Sequence, residues 1–292
     1  MFESRVDCGQ RYRCKRKSRV SEQFASLHCA GYLQAPNSHE IMNKLKYSVF
    51  ADQCLHDLQV LQEQFITDYD IDSYENWFYN NVTGLLTFST GEKEINLRFV
   101  LAGTYSTNTN TWKWAWDKES VFSKGKGEIE AIKDFGEQTA FDKLITGYFE
   151  SSEEEAWQLS AIAVYLLNGI GVYRPVSEHL LCFLVVLDVV DNETAQEIKD
   201  KYVECGLHEC RRRAFVCQHL NRASKVGFEE AFVTHVNMEL DIEDDLQAWC
   251  DECEKVRERE GEWNDSSMAF ANIKLVCEQC YFDMKEVNIR RK

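Results

Sequence analysis

The sequence predicts an α+β protein in which helices cover an antiparallel sheet and a small, mainly helical module follows at the C-terminus. Three observations lead to this fold class. An amphipathic period begins near residue 45, runs rich in Thr, Val, Phe and Trp follow it between Gly and Asn turns, and two C-x-x-C pairs lie near the C-terminus. The first two are typical of a helix and an antiparallel meander, and paired cysteines are typical of a metal-stabilised module.

Residues 1–41 differ from the rest of the chain, since they hold seven Lys/Arg against four Asp/Glu and show no sustained hydrophobic period. We expect a disordered basic arm here, or a segment that precedes a true start at Met42. A tail that binds a partner is the functional alternative. The remainder is expected to form an α+β domain over 42–206 and a cysteine-rich module over 211–292.

Four helices are expected in the first domain. Apolar residues recur at intervals of three and four from Tyr47 to Phe65, as on one face of a helix. Another period covers 128–135. Residues 153–170 begin with three acids, which complement the helix dipole. Residues 192–206, with Asn192 as the N-cap, are expected to close the domain.

The strands of the first domain are expected between these helices. Runs over 77–90, 91–107 and 111–120 are rich in Thr, Val, Phe and Trp, and we expect an antiparallel meander with a hairpin loop at T-N-T-N-T. The continuous apolar run over 179–190 predicts a strand that is buried on both faces.

Trp112, Trp114 and Trp116 occupy alternate positions of T-W-K-W-A-W-D, so in a strand all three point to one face. We expect a core position beneath the helix that carries Trp157, because each indole removes a large area from water. The alternative is an aromatic platform for a sugar or a partner side chain, with Trp116 at its rim.

The segment G-T-Y-S-T-N-T-N-T-W-K-W-A-W-D-K-E-S, followed by E-E-E-A-W-Q-L-S-A-I-A-V-Y-L-L-N-G-I-G-V-Y-R-P, resembles an uncharacterised bacterial domain family. Its members share a G-x-Y-S motif, a W-x-W-A-W motif, and a helix that leads to a G-x-Y-R-x-P turn. The resemblance covers about residues 45–190. It implies no reaction, because the role of that family is itself unassigned.

The C-terminal cysteines predict a structural zinc ion. Two C-x-x-C pairs can together supply four thiolates to one tetrahedral ion, and we favour this all-cysteine site. In the alternative, one pair joins Cys217 and His219. A helix over 267–286 would place the last pair on one face. The candidate ligands are Cys250, Cys253, Cys277, Cys280, Cys217 and His219.

Other roles for the cysteines are weaker. Buried reduced thiols remain an alternative, and a redox pair is disfavoured because no thioredoxin-like βαβ pattern surrounds either C-x-x-C. We interpret Cys205, His208 and Cys210 as ordinary surface or core residues rather than a second metal site.

The motifs indicate a protein that is not an enzyme. A closed four-thiolate site leaves no coordination position for water, and the H-x-E and P-C-x-x-C pattern of zinc deaminases is missing. The sequence also lacks G-x-S-x-G, H-E-x-x-H and a phosphate-binding glycine loop. A hydrolase with a dispersed site built from His56, His179 and His235 is the less favoured alternative.

The motifs V-C-x-H-L, W-C-x-x-C-E, G-x-W-N and I-K-x-V-C-x-x-C-Y, between residues 214 and 290, resemble a recurrent bacterial module. Acidic two-domain proteins of this build resemble immunity proteins that neutralise nuclease toxins in interbacterial competition. The resemblance implies a cytoplasmic protein that binds and inhibits a basic toxin. A zinc-containing regulator or adaptor is the alternative.

The charge of the chain agrees with that partner. A net charge of -16 repels nucleic acid and anionic membranes and attracts basic proteins. No apolar run reaches the roughly 20 residues of a membrane span, and no signal peptide is recognisable. The expected contacts lie in L-D-I-E-D-D-L and on the tryptophan strand, namely Asp241, Glu243, Asp244, Asp245 and Trp116.

Overall fold

The computed structural model describes residues 46–117, 126–236, 238, 240–241 and 244–289. The expectations for residues 1–41 and for Glu243 lie outside this part of the chain. Two compact units are present, an N-terminal unit that ends at Asn192 and a C-terminal unit that begins at Glu193. None of the helices in the described ranges has the length and apolarity that a membrane crossing requires.

The N-terminal unit has the predicted α+β fold, with an antiparallel sheet and covering helices. Its helices are α1 (Tyr47–Asp68), α2 (Lys126–Thr139), α3 (Asp142–Ile145) and α4 (Glu153–Leu167). The hydrophobic period correctly predicted α1, which buries Phe50, Cys54, Leu58 and Phe65. Ser152 caps α4 by accepting a hydrogen bond from the Glu155 N–H, and the three acids follow in its first turn.

Eight antiparallel strands form the sheet of the N-terminal unit. The long strand β3 pairs with β2 along its first half and with β4 along its second half, while β8 pairs with the whole opposite edge. The predicted meander and hairpin loop are therefore present. The strands are β1 (Asn76–Asn80), β2 (Leu85–Ser89), β3 (Glu94–Ser106), β4 (Thr111–Trp114), β5 (Tyr148–Glu150), β6 (Gly171–Tyr173), β7 (Val176–Ser177) and β8 (Leu180–Val190).

The first two tryptophans belong to the core, as predicted. Trp112 and Trp114 are fully buried, and their rings meet edge to face at 5.1 Å. The Trp114 Nε1–H donates to the Lys143 carbonyl at 2.9 Å. The alternating pattern stops there, because the strand ends at Trp114 and a single 3₁₀ turn, Ala115–Asp117, carries the half-buried Trp116.

The C-terminal unit combines a five-stranded sheet with helices. The sheet has the order β11-β12-β10-β13, with β9 also paired to β10. Its strands are β9 (Tyr202–Cys205), β10 (Glu209–Val216), β11 (Glu229–Glu230), β12 (Leu246–Trp249) and β13 (Lys274–Cys277). Its helices are α5 (Asn192–Asp200), α6 (Asp251–Glu260), α7 (Asp265–Ala271) and α8 (Glu278–Asn288).

Two of the expected helices are shorter in the structure. The helix over 192–206 stops at Asp200, and the following residues form β9, whose partner is β10. This segment therefore belongs to the C-terminal unit rather than to the first domain. The prediction of a single helix over 267–286 is wrong. A left-handed residue, Asn272, ends α7, and the strand β13 separates it from α8.

Candidate metal centres

A cysteine and a histidine that could bind a metal ion lie close to each end of strand β10. Cys205 is the last residue of β9 and His208 lies in the turn before β10, while Cys217 and His219 follow β10 directly. A strand rises about 3.3 Å per residue, so the two pairs are separated by roughly the length of β10. Each pair therefore needs further ligands from its own end of the strand.

The directions of the neighbouring strands decide which C-x-x-C pair reaches which end. Strand β12 runs parallel to β10, with Val216 opposite Ala248, so Cys250 emerges beside Cys217. Strand β13 runs antiparallel, with Arg213 opposite Cys277, so its C-terminal end points towards the beginning of β10. The two C-x-x-C pairs consequently lie in different clusters.

We call the first group the outer cluster. It comprises Cys205, His208, Cys277 and Cys280, of which only Cys277 is fully buried. The Cys205 Sγ lies 3.8 Å from the Cys280 Sγ, and the His208 Nδ1 lies 3.4 Å from the Sγ atoms of both Cys277 and Cys280. The Cys205 Sγ lies 3.7 Å from the same nitrogen.

We call the second group the inner cluster. It comprises Cys217, His219, Cys250 and Cys253, and all three thiols are buried in the core of the C-terminal unit. The His219 Nδ1 lies 3.3 Å from the Cys253 Sγ. In each cluster the four ligand atoms all lie within 4.8 Å of one another.

These spacings fit a tetrahedral ion. Bonds of about 2.3 Å to sulfur and 2.0–2.1 Å to nitrogen imply ligand-to-ligand edges of roughly 3.5–3.8 Å. The four distances given above for the outer cluster, 3.4–3.8 Å, match these values. Both clusters could therefore hold a metal ion with three cysteines and one histidine.

Both C-x-x-C pairs occupy the same local structure. Cys250 and Cys277 are the N-cap residues of α6 and α8, and Cys253 and Cys280 follow within the first turn. The Cys280 N–H donates to the Cys277 Sγ at 3.4 Å. A helix N-terminus favours negative charge, so this arrangement stabilises thiolates where they would bind a cation.

Burial opposes thiolate formation at most of these positions. It raises the pKa of the Cys277 thiol to about 12 and also raises the pKa of Cys217 and Cys253. Cys205 differs, because the Leu207 N–H and neighbouring groups lower its pKa to about 6. A divalent cation provides the positive charge that would hold several buried thiolates together at neutral pH.

The comparisons with known proteins concern the other unit. Residues 48–189 match the model of DUF6882, a family of unknown function. The DUF6882 segment ends before both clusters. No curated protein matches the chain, and no solved structure does.

The sequence favoured a single site formed by both C-x-x-C pairs, and this prediction is wrong because the two pairs lie in different clusters. Cys250 and Cys253 join Cys217 and His219, which was the alternative, whereas Cys277 and Cys280 join two residues that we had interpreted as ordinary. Cys205 and His208 were missed although their C-x-x-H spacing is a local signal. Together the six proposed ligands and these two make eight, the number that two tetrahedral ions require.

The residues proposed as partner contacts differ in how exposed they are and in whether other side chains already bind them. Asp245 lies between Arg213, at 2.9 Å, and Lys201, at 3.3 Å, and its side chain is only 17% exposed. Burial raises its pKa, but these cations outweigh that effect and hold the pKa below its usual value. Asp241 is exposed. The Asp244 carboxylate accepts a hydrogen bond from the Asp241 N–H. Trp116, in the N-terminal unit, packs against the hydrophobic core of that unit.

Proposed function

We propose that the C-terminal unit binds two structural zinc ions and that the protein acts by binding another protein rather than by catalysis. One observation carries the structural role. Each cluster offers four protein ligands within 4.8 Å of one another, so a tetrahedral ion would have no open position. Catalytic zinc keeps such a position for water or substrate.

Zinc is the metal that this donor set favours. Three thiolates and one imidazole in tetrahedral arrangement suit zinc, and C-x-x-C and C-x-x-H spacings are typical of structural sites. The inner ion would lie within the hydrophobic core of the C-terminal unit. Because a small unit can bury only a limited apolar area, the metal would add stability that the core alone does not provide.

The expected partner is a basic protein. The chain has a net charge of -16, and helix α1 carries Asp52, Asp57, Glu63 and Asp68 on its exposed surface without a single Lys or Arg. Such a surface accelerates encounters with a positively charged protein and rejects acidic ones. The resemblance to immunity proteins supports a nuclease-type toxin as this partner, since nucleases need cations to bind phosphate.

Co-expression tests this proposal. The product of each neighbouring gene is expressed alone and together with this protein, and growth and co-purification are measured. We expect one basic product to be toxic alone and harmless in a stable complex. If no neighbouring product is neutralised or bound, the immunity function is contradicted, and a stable complex with a harmless basic protein would support the adaptor function instead.

A charge variant of α1 sharpens the test. Neutralising Asp57 and Glu63 as Asp57→Asn and Glu63→Gln should slow association with the basic partner and weaken its dependence on salt. The matched control neutralises Glu128 and Glu130 of α2, which lie on another helix. Equal effects of the two double variants would show that total charge, rather than the surface of α1, governs association.

A further inference from the structure

A charged pair lies directly against the outer cluster. The Arg222 Nη2 donates to the Cys280 Sγ at 3.3 Å and lies 2.5 Å from the Asp283 Oδ2. Asp283 is on α8, one turn after Cys280, so the helix that supplies two ligands also supplies the carboxylate. Arg222 thus contacts a ligand and is held in place by its carboxylate partner.

The same carboxylate faces the histidine ligand. The Asp283 Oδ2 lies 3.6 Å from the His208 Nε2, while the Nδ1 of the same ring faces the thiols. At 3.6 Å the contact is an electrostatic one rather than a short hydrogen bond. It still favours the tautomer with the proton on Nε2, which leaves Nδ1 free to bind a metal.

The charge of the occupied site explains what the arginine would do. Three thiolates carry three negative charges and a zinc ion two positive ones, so the complex keeps one excess negative charge. A guanidinium that donates to a ligand sulfur offsets this charge and draws electron density from the sulfur.

The inner cluster is supported differently. The ring of His219 packs against Phe270, with centroids 5.1 Å apart. Among the described residues, no carboxylate lies within ion-pair distance of this histidine. The charged pair is therefore a feature of the outer cluster.

We infer that Arg222 and Asp283 are positioning residues of the outer zinc site, where they balance its charge, orient His208 and retain the metal. This inference rests on the proposed zinc binding. It predicts that loss of either residue weakens the outer site by about 10–100-fold, the usual effect of removing such a partner, and leaves the inner site unchanged.

Cadmium-113 NMR of the full chain tests the inference, because the resonance of each bound ion reports the hydrogen bonds to its own sulfurs. The wild type should show two resonances, of which Cys205→Ser removes the outer one. Arg222→Gln and Asp283→Asn should each shift only that resonance and speed the release of its metal to a chelator. Arg222→Lys, which keeps the charge, should cause a smaller change.

Arg259→Gln is the matched control, since the Arg259 side chain is 69% exposed and belongs to α6. It should shift neither resonance. Two resonances that stay unchanged in both Arg222→Gln and Asp283→Asn, or an equal shift of both resonances, would overturn the inference alone. A wild type without bound cadmium would instead refute the zinc proposal on which the inference rests.

Discussion

The Sγ atoms of Cys205 and Cys280 lie 3.8 Å apart, although 75 positions separate the two residues in the chain. Cys205 is the last residue of β9, and Cys280 lies in the first turn of α8. This contact excludes a single ion shared by both C-x-x-C pairs, because Cys250 and Cys253 belong to the other cluster.

Removal of one outer ligand should halve the metal content. We expect Cys205→Ser to lower the zinc content from two ions to one per chain, since three remaining ligands bind zinc less tightly and the inner cluster keeps all four. Metal analysis of the purified variant measures this. Cys182→Ala, in the N-terminal unit, should retain both ions, and unchanged zinc in Cys205→Ser would contradict the outer assignment.

Removal of one inner ligand should have a larger structural effect. Cys253 is fully buried within the core of the C-terminal unit, so Cys253→Ser leaves buried thiols without a compensating cation. We expect hydrogen exchange of the C-terminal unit to accelerate strongly, while the N-terminal sheet stays protected. Equal protection in Cys253→Ser and Cys205→Ser would show that the inner ion is no more important than the outer one.

The two buried tryptophans allow a matched comparison. The Trp114 Nε1–H donates to the Lys143 carbonyl, whereas the buried Trp112 Nε1 has no hydrogen-bond partner among the described residues. Trp114→Phe and Trp112→Phe remove the same volume, but only the first breaks a hydrogen bond. We expect Trp114→Phe to lower the free energy of unfolding by about 1–3 kcal/mol more. Urea unfolding measures the free energy of unfolding of both variants. An equal loss of stability in the two would contradict the hydrogen bond from Trp114 to the Lys143 carbonyl.

An almost buried ion pair holds α8 to β11. The Lys285 Nζ lies 2.7 Å from the Glu230 Oε2, and the two side chains are 14% and 17% exposed. We expect Lys285→Met to lower the stability of the C-terminal unit by about 3 kcal/mol, because it leaves a carboxylate without its cation. Thermal unfolding tests this. Adding Glu230→Gln should restore part of the loss, and a double variant as unstable as Lys285→Met would exclude unpaired charge as the cause.

Local patterns in the sequence predicted much of the N-terminal unit. The period from Tyr47 to Phe65 and the acidic first turn of α4 are signals within single helices, and both helices are present. The continuous run of apolar residues correctly predicted strand β8. The end of the tryptophan strand was not, because nothing in the alternation signals the 3₁₀ turn after Trp114.

The grouping of the ligands could not be read from spacing. Both C-x-x-C pairs have the same local pattern, and their assignment depends on whether β12 and β13 run parallel or antiparallel to β10. That is a property of the sheet, whereas the local pattern over 267–286 predicts one long helix in place of β13. The number of ligands was the usable signal, since Cys205 and His208 complete two sets of four.

The zinc content of the wild-type protein tests the central claim most directly. Purified full-length protein, measured by elemental analysis and by mass spectrometry under native conditions, should contain two zinc ions per chain. A folded protein that contains no zinc, or a single ion that is retained in Cys205→Ser and His208→Ala, would contradict the account.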